Sequence, residues 1–415
     1  MGRSINRKGV SLDRKTLFII VVLCFLIVPS YISSIDILLI DYFLKAGKYA
    51  AILLVGFFYL TRNKISLLFI LTACVYITII YSTLINNGNL ISSIRSLLVA
   101  LFFIMITENE SEHLDKLWNA MIFYMSLLII INLITIIVYP HGLYTTAKIY
   151  EGVSYIDARH WFLGFKNGIG KYCLFLLFFI SDRDLKKQGR LSGLFYLMFA
   201  ISMISVILIK SAMSIAIILL FGAGVIFANI IRRNRFAFFN IYNLMIVFAI
   251  LYILIIVMQN FGLFNHLMIF FGKNATTFGN RLAIWNKAIH LINEKPLLGY
   301  GYIDSNTFRG MLGKKDASDA HNFFLTLALN GGFIAVVFYI LVLLLLVRNI
   351  RAYQYSYQGI VLTLFTFLFM THLIVENTSN MIYYSIFAYA ASCSGKQPNR
   401  SSVSINTVME PMGLQ

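Results

Sequence analysis

Long runs of apolar residues, separated by short polar links, make up most of this chain. A helix that spans a bilayer needs about 20 mostly apolar residues, and runs of roughly that length recur throughout the sequence. The pattern predicts twelve spanning helices, of which the sixth and the last are short. The predicted runs are 17–34, 43–61, 65–84, 91–107, 117–139, 168–181, 191–209, 213–231, 237–259, 322–347, 356–375 and 379–393.

Two polar stretches, 260–321 and 140–167, are longer than the other links. A long link in a compact chain is either functional or disordered, and the longer stretch has the periodic apolar pattern of a folded segment. The predicted fold is therefore all-α, a polytopic membrane bundle that carries a long external loop. The predicted parts are nine spans in 1–259 with a smaller external loop at 140–167, a long site-bearing loop at 260–321, three spans in 322–393, and a cytoplasmic tail at 394–415.

The composition agrees with a membrane protein. Hydrophobic residues make up 59% of the chain and charged residues 12%, and the mean hydropathy is +0.80. Soluble domains carry about 25% charged residues. The four cysteines lie in or beside apolar runs, so their positions predict neither a disulfide framework nor a CxxC metal site.

The net charge of +17 is unevenly distributed. With the N-terminus in the cytoplasm, nineteen Lys and Arg residues fall in cytoplasmic pieces and four in short external pieces. The positive-inside rule then predicts that both termini are cytoplasmic and that the long loop is external. The first apolar run follows a basic N-terminus without a small-residue cleavage site, so we expect an uncleaved first helix. The sequence contains no basic helix or basic tail of the kind that binds nucleic acid. The positive net charge instead predicts contact with anionic lipids or with an anionic substrate.

The long loop contains apolar residues at helical spacing. They are Leu282, Trp285, Ala288, Ile289 and Ile292. This spacing predicts an amphipathic helix of about four turns, with Asn280 as its N-cap, Trp285 facing inward and an end before Pro296. Arg281 in the first turn, beside free backbone N–H groups, would hold an oxyanion. A passive lid helix is the alternative interpretation.

Two further motifs follow that helix. Gly299-Tyr300-Gly301 predicts a tight turn or a close backbone approach, although an ordinary turn would look the same. His321-Asn322 lies at the mouth of the tenth predicted span. Histidine is the usual general base near neutral pH, but a histidine at a helix mouth is more often a capping or interfacial residue.

Cations also lie in the shorter loop, at the ends of spans and within spans. They include Arg159, Lys166, Lys171, Lys210, Lys45, Lys48 and Arg95. Charges within a membrane are functional candidates, and Glu376 is a candidate ion-pair partner for one of them. The carboxylates of the external segments are too scattered to predict a metal site.

The order of motifs in the long loop resembles the O-antigen ligase and polymerase superfamily. The matching residues are Gly279-x-Arg281, Trp285, the run from Pro296 to Gly301, Ala320-His321-Asn322 and Gly331-Gly332. The motifs cover about 279–332, and elsewhere the likeness is one of architecture. The resemblance implies an inverting glycosyltransferase without metal or cofactor, which uses an undecaprenyl-pyrophosphate-linked glycan. It also implies that Arg281 binds the pyrophosphate and that His321 is required for transfer.

Family members often carry a second arginine near the outer end of an earlier span, where this chain has Lys210-Ser211. Lysine lacks the bidentate geometry of arginine, so Lys210 is a partial substitute. The candidate catalytic residues are thus Arg281 and His321. The candidate residues for binding pyrophosphate or glycan are Arg281, Lys210, Arg159, Lys166, Trp285, Tyr300 and Asn322.

Three functions fit these features. A polymerase would move a growing glycan onto a lipid-linked repeat unit, and the PLLGYG and AHN runs slightly favour it. A ligase would transfer the same donor glycan to lipid A–core. A transporter of lipid-linked glycans would not require the long loop. The expected partners are the undecaprenyl-pyrophosphate-linked donor, a glycan or lipid acceptor, membrane lipids and, as a further candidate, a chain-length regulator. The expected location is the bacterial inner membrane, with the active site on the periplasmic side.

Overall fold

The computed structural model describes residues 13–61, 65–150, 153–231, 240–258, 275–314, 317–353, 356–377 and 381–394. The predicted tail from residue 395 onward and residues 260–274 and 315–316 of the long loop lie outside the described residues.

Helices form most of the first half of the described chain, where the apolar runs predict them. They are α1 (Arg14–Leu26), α2 (Ser30–Ser34), α3 (Leu38–Leu60), α4 (Leu67–Ile85), α5 (Leu90–Asn109), α6 (Leu114–Val138) and α7 (Lys166–Gln188). The second half continues with α8 (Gly193–Leu208), α9 (Ala212–Ile231), α10 (Ile241–Tyr252, extended by a π turn at Ile253–Val257), α11 (Ala275–Glu294), α12 (Ser305–Leu312), α13 (Phe323–Arg351), α14 (Tyr357–Val375) and α15 (Tyr383–Ser394).

Each of the twelve predicted runs contains a helix. Among the described helices, seven are long and apolar enough to cross a membrane on their own, namely α3, α4, α5, α6, α9, α13 and α14. The helices α8 and α10 are apolar but shorter, and α1 and α15 have 13 and 12 residues. The structure thus agrees with a polytopic helical membrane protein, while the number of twelve spans is not confirmed.

The shorter predicted loop contains a small antiparallel sheet that the all-α prediction lacked. Its strands β1 (Tyr144–Tyr150), β2 (Val153–Trp161) and β3 (Gly164–Phe165) lie in the order β1-β2-β3. Both long strands are rich in aromatic and β-branched residues, which favour a pleated surface. The prediction missed the sheet because it searched this loop for charges and motifs and not for strand alternation.

Helix α7 lies at the centre of the bundle. Every residue from Cys173 to Ile180 is fully buried. A helix that is apolar all round belongs in an interior, and aromatic pairs such as Phe178 with Phe365 of α14 pack around it. The N-terminal end of this rigid helix therefore provides a fixed position for the polar residues Asn167 and Lys171.

Helix α13 is broken at Gly332, where φ is 63° and ψ is −168°. The backbone groups that the break frees are taken up by the PLLGYG segment. Leu329 and Asn330 accept hydrogen bonds from the backbone N–H groups of Tyr300 and Gly301, at 2.7 and 2.9 Å. In return, the N–H groups of Phe333 and Ile334 donate to the carbonyls of Pro296 and Leu297, at 2.8 and 3.3 Å.

These four bonds explain the glycines on both sides of the break. A Cβ at Gly332 would lie 2.1 Å from the Leu297 oxygen, and one at Gly299 would lie 2.4 Å from the Leu329 oxygen. A broken helix inside a membrane protein is tolerated where protein groups satisfy the freed backbone. The prediction of a close backbone approach at Gly299-Tyr300-Gly301 is therefore confirmed, and the long loop is joined to the bundle through α13.

Candidate functional site

Helix α11 carries Arg281 and starts earlier than the sequence pattern indicated. Because α11 already includes Ala275, Asn280 lies inside the helix and the prediction that it is the N-cap is wrong. The spacing of Phe278, Leu282 and Trp285 continues the apolar register past Asn280, which explains the longer helix. Arg281 is thus more than one turn inside α11, where backbone N–H groups bond within the helix, so the expected clamp of arginine and free N–H groups is also wrong. The predicted end is confirmed, since α11 ends at Glu294.

Trp285 faces inward, as its spacing predicted, and it is fully buried. Its indole Nε1 donates a hydrogen bond of 3.0 Å to the carbonyl of Ala320. This bond attaches α11 to the Ala320-His321-Asn322 segment. The geometry therefore gives Trp285 a positioning role, since it fixes the helix of Arg281 against the residue next to His321.

The guanidinium of Arg281 is held at the end of α14. Its Nη2 lies 2.6 Å from Glu376 Oε1, and its Nη1 donates to the carbonyl of Val375 at 2.5 Å. The Arg281 and Glu376 side chains are only 19% and 12% exposed. A guanidinium has five N–H donors, so these two contacts orient the group and leave other donors for an anion.

Glu376 is the centre of the polar cluster. Its Oε1 also accepts a hydrogen bond of 2.8 Å from the side-chain amide of Asn167, at the start of α7. Burial opposes ionisation, but the charges of Arg281, His321 and His372 outweigh it and lower the pKa of Glu376 below its ordinary value of 4.5. Glu376 is therefore a carboxylate at neutral pH, and it links α7, α11 and α14.

His321 has an unusual backbone conformation for a residue other than glycine, with φ at 46°. Its backbone N–H donates to Asp319 Oδ1 at 2.6 Å, and its Nδ1 lies 3.7 Å from the same oxygen. The second distance is too long for a hydrogen bond but close enough for attraction to a protonated imidazole. Strained backbone of this kind clusters at functional sites, and here it sets the direction of the imidazole.

Asn322 is fully buried and completes the connection between the segments. Its Oδ1 accepts from the N–H of Leu325 at 2.8 Å, which caps α13, and its Nδ2 donates to the carbonyl of Ile374 at 2.8 Å. Val375 and Glu376 follow Ile374 directly. Asn322 therefore positions His321 relative to Glu376, and both ends of its amide are occupied by protein.

The other candidate binding residues lie on different elements, and Lys166 is adjacent in the chain to Asn167 of this cluster. Lys166 is the first residue of α7, next to Asn167, and its Nζ lies 5.9 Å from the centre of the Phe165 ring. Tyr300 donates a hydrogen bond of 2.7 Å to Glu294 at the opposite end of α11 from Arg281. Lys210 is exposed between α8 and α9 with φ at 54°, and Arg159 is exposed on β2. No described hydrogen bond or ion pair joins Lys210 or Arg159 to Arg281.

A cavity of about 650 Å³ opens beside the cluster. Lys171, Asp319 and Asn377 line the part next to Glu376 and His321. The buried tyrosines Tyr76, Tyr339 and Tyr384 line another part of its wall. The volume falls within the range of about 300–1,000 Å³ that is usual for ligand pockets.

The intramembrane cations also take defined places. Lys48 and Arg95 line the cavity, whereas Lys45 forms an i,i+4 ion pair with Asp41 at 2.6 Å. Glu376 was expected to pair with one of these cations, but it pairs with Arg281. Among the described residues, no three His, Cys, Asp or Glu side chains are grouped as a metal site would require.

Sequence reasoning named Arg281 and His321 as candidates but did not predict that Glu376 lies between them. It also missed Asn167 and Asp319. Glu376 is a single carboxylate directly after an apolar run, 95 residues from its partner, and only the packing of α14 against α11 brings them together. A usable signal was present, because a carboxylate at the end of an intramembrane helix needs a cation nearby.

Comparisons with known proteins agree with the loop motifs. Residues 197–340 match a family model described as O-antigen ligase. The matched segment contains Lys210, Arg281 and His321, and it leaves out Lys48, Arg95 and Glu376. No curated protein matches the chain. Residues 197–340 are thus similar to the O-antigen ligase family, in agreement with the resemblance of the loop motifs.

Proposed function

We propose that the protein is a glycan polymerase that joins repeat units carried on undecaprenyl pyrophosphate into a surface polysaccharide. The observation that carries the proposal is the convergence of Arg281, Glu376 and His321 beside a cavity, together with the family match. A cation for a leaving diphosphate and an imidazole for an incoming hydroxyl are the two groups that such a transfer needs.

In the proposed reaction, Arg281 binds the diphosphate of the donor lipid. Its contacts to Glu376 and Val375 hold the guanidinium in place before the substrate arrives, so little reorganisation is needed as charge develops. The bond between the anomeric carbon and the phosphate oxygen breaks, and the electron pair leaves with the diphosphate. Arg281 stabilises that negative charge.

The acceptor sugar hydroxyl attacks the same anomeric carbon from the opposite face, which inverts its configuration. His321 takes the hydroxyl proton as the new carbon–oxygen bond forms, or it orients that hydroxyl. Asp319 lies near His321 Nδ1 and stabilises the imidazolium that results. The imidazolium then gives this proton to the released diphosphate. The diphosphate lipid and the extended chain thus account for all atoms of the two substrates.

A ligase is the second candidate, and the description of the matching family favours it. The donor chemistry would be the same, and the acceptor would be lipid A–core. A transporter is less well supported, since it predicts a dispensable loop, whereas here the loop fills a break in α13 and contributes Arg281 to the cluster.

A deletion strain complemented with variants tests the proposal. Arg281→Ala and His321→Ala should each remove long glycan while protein levels stay normal. Lys287→Ala, which removes an exposed cation from the same helix, is the matched control and should leave the glycan ladder unchanged.

The pattern that remains separates the candidates. A single repeat still attached to core indicates a polymerase. Loss of all attached glycan, with accumulation of lipid-linked polymer, indicates a ligase. Unchanged polymer length in both variants contradicts the proposed site, and failure to export single repeats indicates a transporter.

A further inference from the structure

The cavity beside the polar cluster of Arg281, Glu376 and His321 is also lined by a second group of cations. These cations lie on helices that do not contribute to that cluster. Lys48 lies on α3 and Arg95 on α5, and both line the cavity. Neither residue belongs to the segment that matches the family model. The cluster of Arg281 and Glu376 is built instead from α7, α11 and the end of α14.

Both cations lie at membrane depth in the half of the bundle next to the loop. Lys48 follows the start of α3 by ten residues, about 15 Å along the axis, and Arg95 follows the start of α5 by five residues, about 8 Å. The long side chain of Lys48 can bring its Nζ closer to the surface. Simple snorkelling would explain either residue alone, but it does not explain why both line one cavity between packed helices.

The charge of the cavity is unbalanced. Among the described residues that line it, Lys48, Arg95 and Lys171 are cationic and Asp319 is the one carboxylate. No described carboxylate lies within ion-pair distance of Lys48 or Arg95. Two cations that share one cavity repel each other, and an anion bound between them removes that cost.

The rest of the wall suits a glycan beyond such an anion. Ser96, Thr326 and Tyr302 add polar groups, and the side-chain oxygen of Asn330 is enclosed without a hydrogen-bond partner among the described residues. Aromatic walls with a few polar groups are typical of ligand sites. Lys171 and Asp319 line the same cavity, and Asp319 lies 3.7 Å from Nδ1 of His321.

We propose that Lys48 and Arg95 bind the diphosphate of the second lipid-linked substrate, the acceptor, whose sugars extend through the cavity toward His321. This inference rests on the proposed polymerase function. A polymerase must hold two lipid diphosphates at once, and the leaving one belongs at Arg281 beside His321. The acceptor diphosphate does not react, so it requires a separate cationic site about one repeat unit away.

Binding stoichiometry tests this assignment directly. The purified full-length protein is titrated with undecaprenyl diphosphate and observed by native mass spectrometry. The wild type should bind two molecules at saturation. The double variant Lys48→Met and Arg95→Met should bind one, with at least a tenfold loss of affinity for the other. Arg281→Ala should also retain one, and the double variant combined with Arg281→Ala should retain none.

Lys45→Met is the matched control, because it removes a cation from α3 that pairs with Asp41 and does not line the cavity. It should bind two molecules. Lys48→Arg in the wild-type background keeps both positive charges, so this variant should still bind two molecules. Inorganic pyrophosphate at high concentration should compete for both sites, whereas phosphatidylglycerol should compete for neither.

Three results would overturn the inference. They are two bound molecules in the Lys48 and Arg95 double variant, displacement of the second molecule by phosphatidylglycerol, and loss of the second molecule in Lys45→Met. The same experiments distinguish failure of this inference from failure of the proposed function. If Arg281→Ala stops polymer growth while the double variant keeps polymer and both lipids, the function stands and this inference falls. If no variant alters the glycan but the predicted stoichiometries hold, the lipid sites stand and the function falls.

Discussion

Arg281 and Glu376 form the contact on which the proposed chemistry depends. The guanidinium is oriented by two different acceptors, the Glu376 carboxylate and the Val375 carbonyl, which a single ammonium group cannot reach in the same geometry. Glu376 also accepts a hydrogen bond from the side-chain amide of Asn167, so Arg281 is fixed relative to the central helix α7. The arginine thus acts as a preorganised group and not as a mobile surface charge.

Arg281→Lys should therefore keep the charge but lose the orientation. A hydrogen bond to a charged group is worth about 1.5–3 kcal/mol, which corresponds to a rate lower by about 10- to 100-fold. The measurement is the initial rate of glycan extension by purified protein. A rate within twofold of wild type would show that charge alone suffices.

Glu376→Gln should weaken the dependence of stability on acid. Because the pKa of Glu376 is lowered in the folded protein, its contribution is fully present above about 4.5 and is lost as the pH falls through the lower folded value. When the pH is lowered from 5, the melting temperature in detergent should thus decrease less in Glu376→Gln than in wild type. Equal pH profiles would contradict the role of this carboxylate. Asn167→Ala, which removes a neutral partner, is the control and should retain the acid dependence.

For single residues, motif order in the sequence named Arg281 and His321 as candidates, and the structure places both beside Glu376. Glu376 was an ion-pair candidate, but the sequence did not predict Arg281 as its partner, since the two residues are 95 positions apart. It also did not show that Trp285 and Asn322 have their polar groups occupied by Ala320, Leu325 and Ile374. Those contacts depend on the packing of three helices.

Among the elements, the broken helix α13 and the PLLGYG segment act as one unit. The four backbone bonds between them replace two helical bonds that Gly332 interrupts. The glycine pairs on the two sides are therefore parts of one junction. This junction fixes the C-terminal side of α11 to the bundle, while Trp285 fixes its middle.

Gly332→Ala should disrupt this junction. Its Cβ would overlap the Leu297 oxygen at 2.1 Å, in addition to the strain of a positive φ. The control is Gly313→Ala, at φ 62° with nothing within 4 Å of the added carbon, which measures the cost of about 1–2 kcal/mol for alanine in the left-handed helical region without overlap. Limited proteolysis of the loop should show rapid cleavage in Gly332→Ala and near-wild-type resistance in Gly313→Ala. Equal resistance in both would show that the junction does not hold the loop.

Apolar periodicity predicted α11 and its end, because Pro296 and the spacing from Leu282 to Ile292 act locally. It misplaced the start, since an asparagine with capping chemistry is also tolerated within a helix whose apolar register continues. The sheet from Tyr144 to Phe165 was missed because the prediction for this loop rested on its charges and motifs and not on strand alternation.

For the whole molecule, hydropathy predicted a polytopic helical bundle and located a helix in each apolar run. It could not establish the number of spans, because α7 is central but charged at its ends and α8, α10 and α15 are short. The excess of Lys and Arg in the predicted cytoplasmic pieces predicts that the polar cluster and the cavity face the periplasm. Both lie at the end of the bundle where α13 starts and α14 ends.

Orientation can be measured by labelling single cysteines in a variant without the four native ones. Lys287→Cys on α11 should react with an impermeant maleimide added outside spheroplasts. Glu112→Cys, between α5 and α6, should react only after permeabilisation. The reverse pattern would place the cluster in the cytosol and contradict the periplasmic reaction.

The most direct measurement of the central claim uses purified protein in liposomes with a lipid-diphosphate-linked repeat unit as its substrate. Wild-type protein should produce chains of several repeats and release one undecaprenyl diphosphate for each bond formed, while Arg281→Ala and His321→Ala should form less than about 1% of that product. Chain extension by either variant at the wild-type rate would contradict the claim that these two residues carry out the transfer.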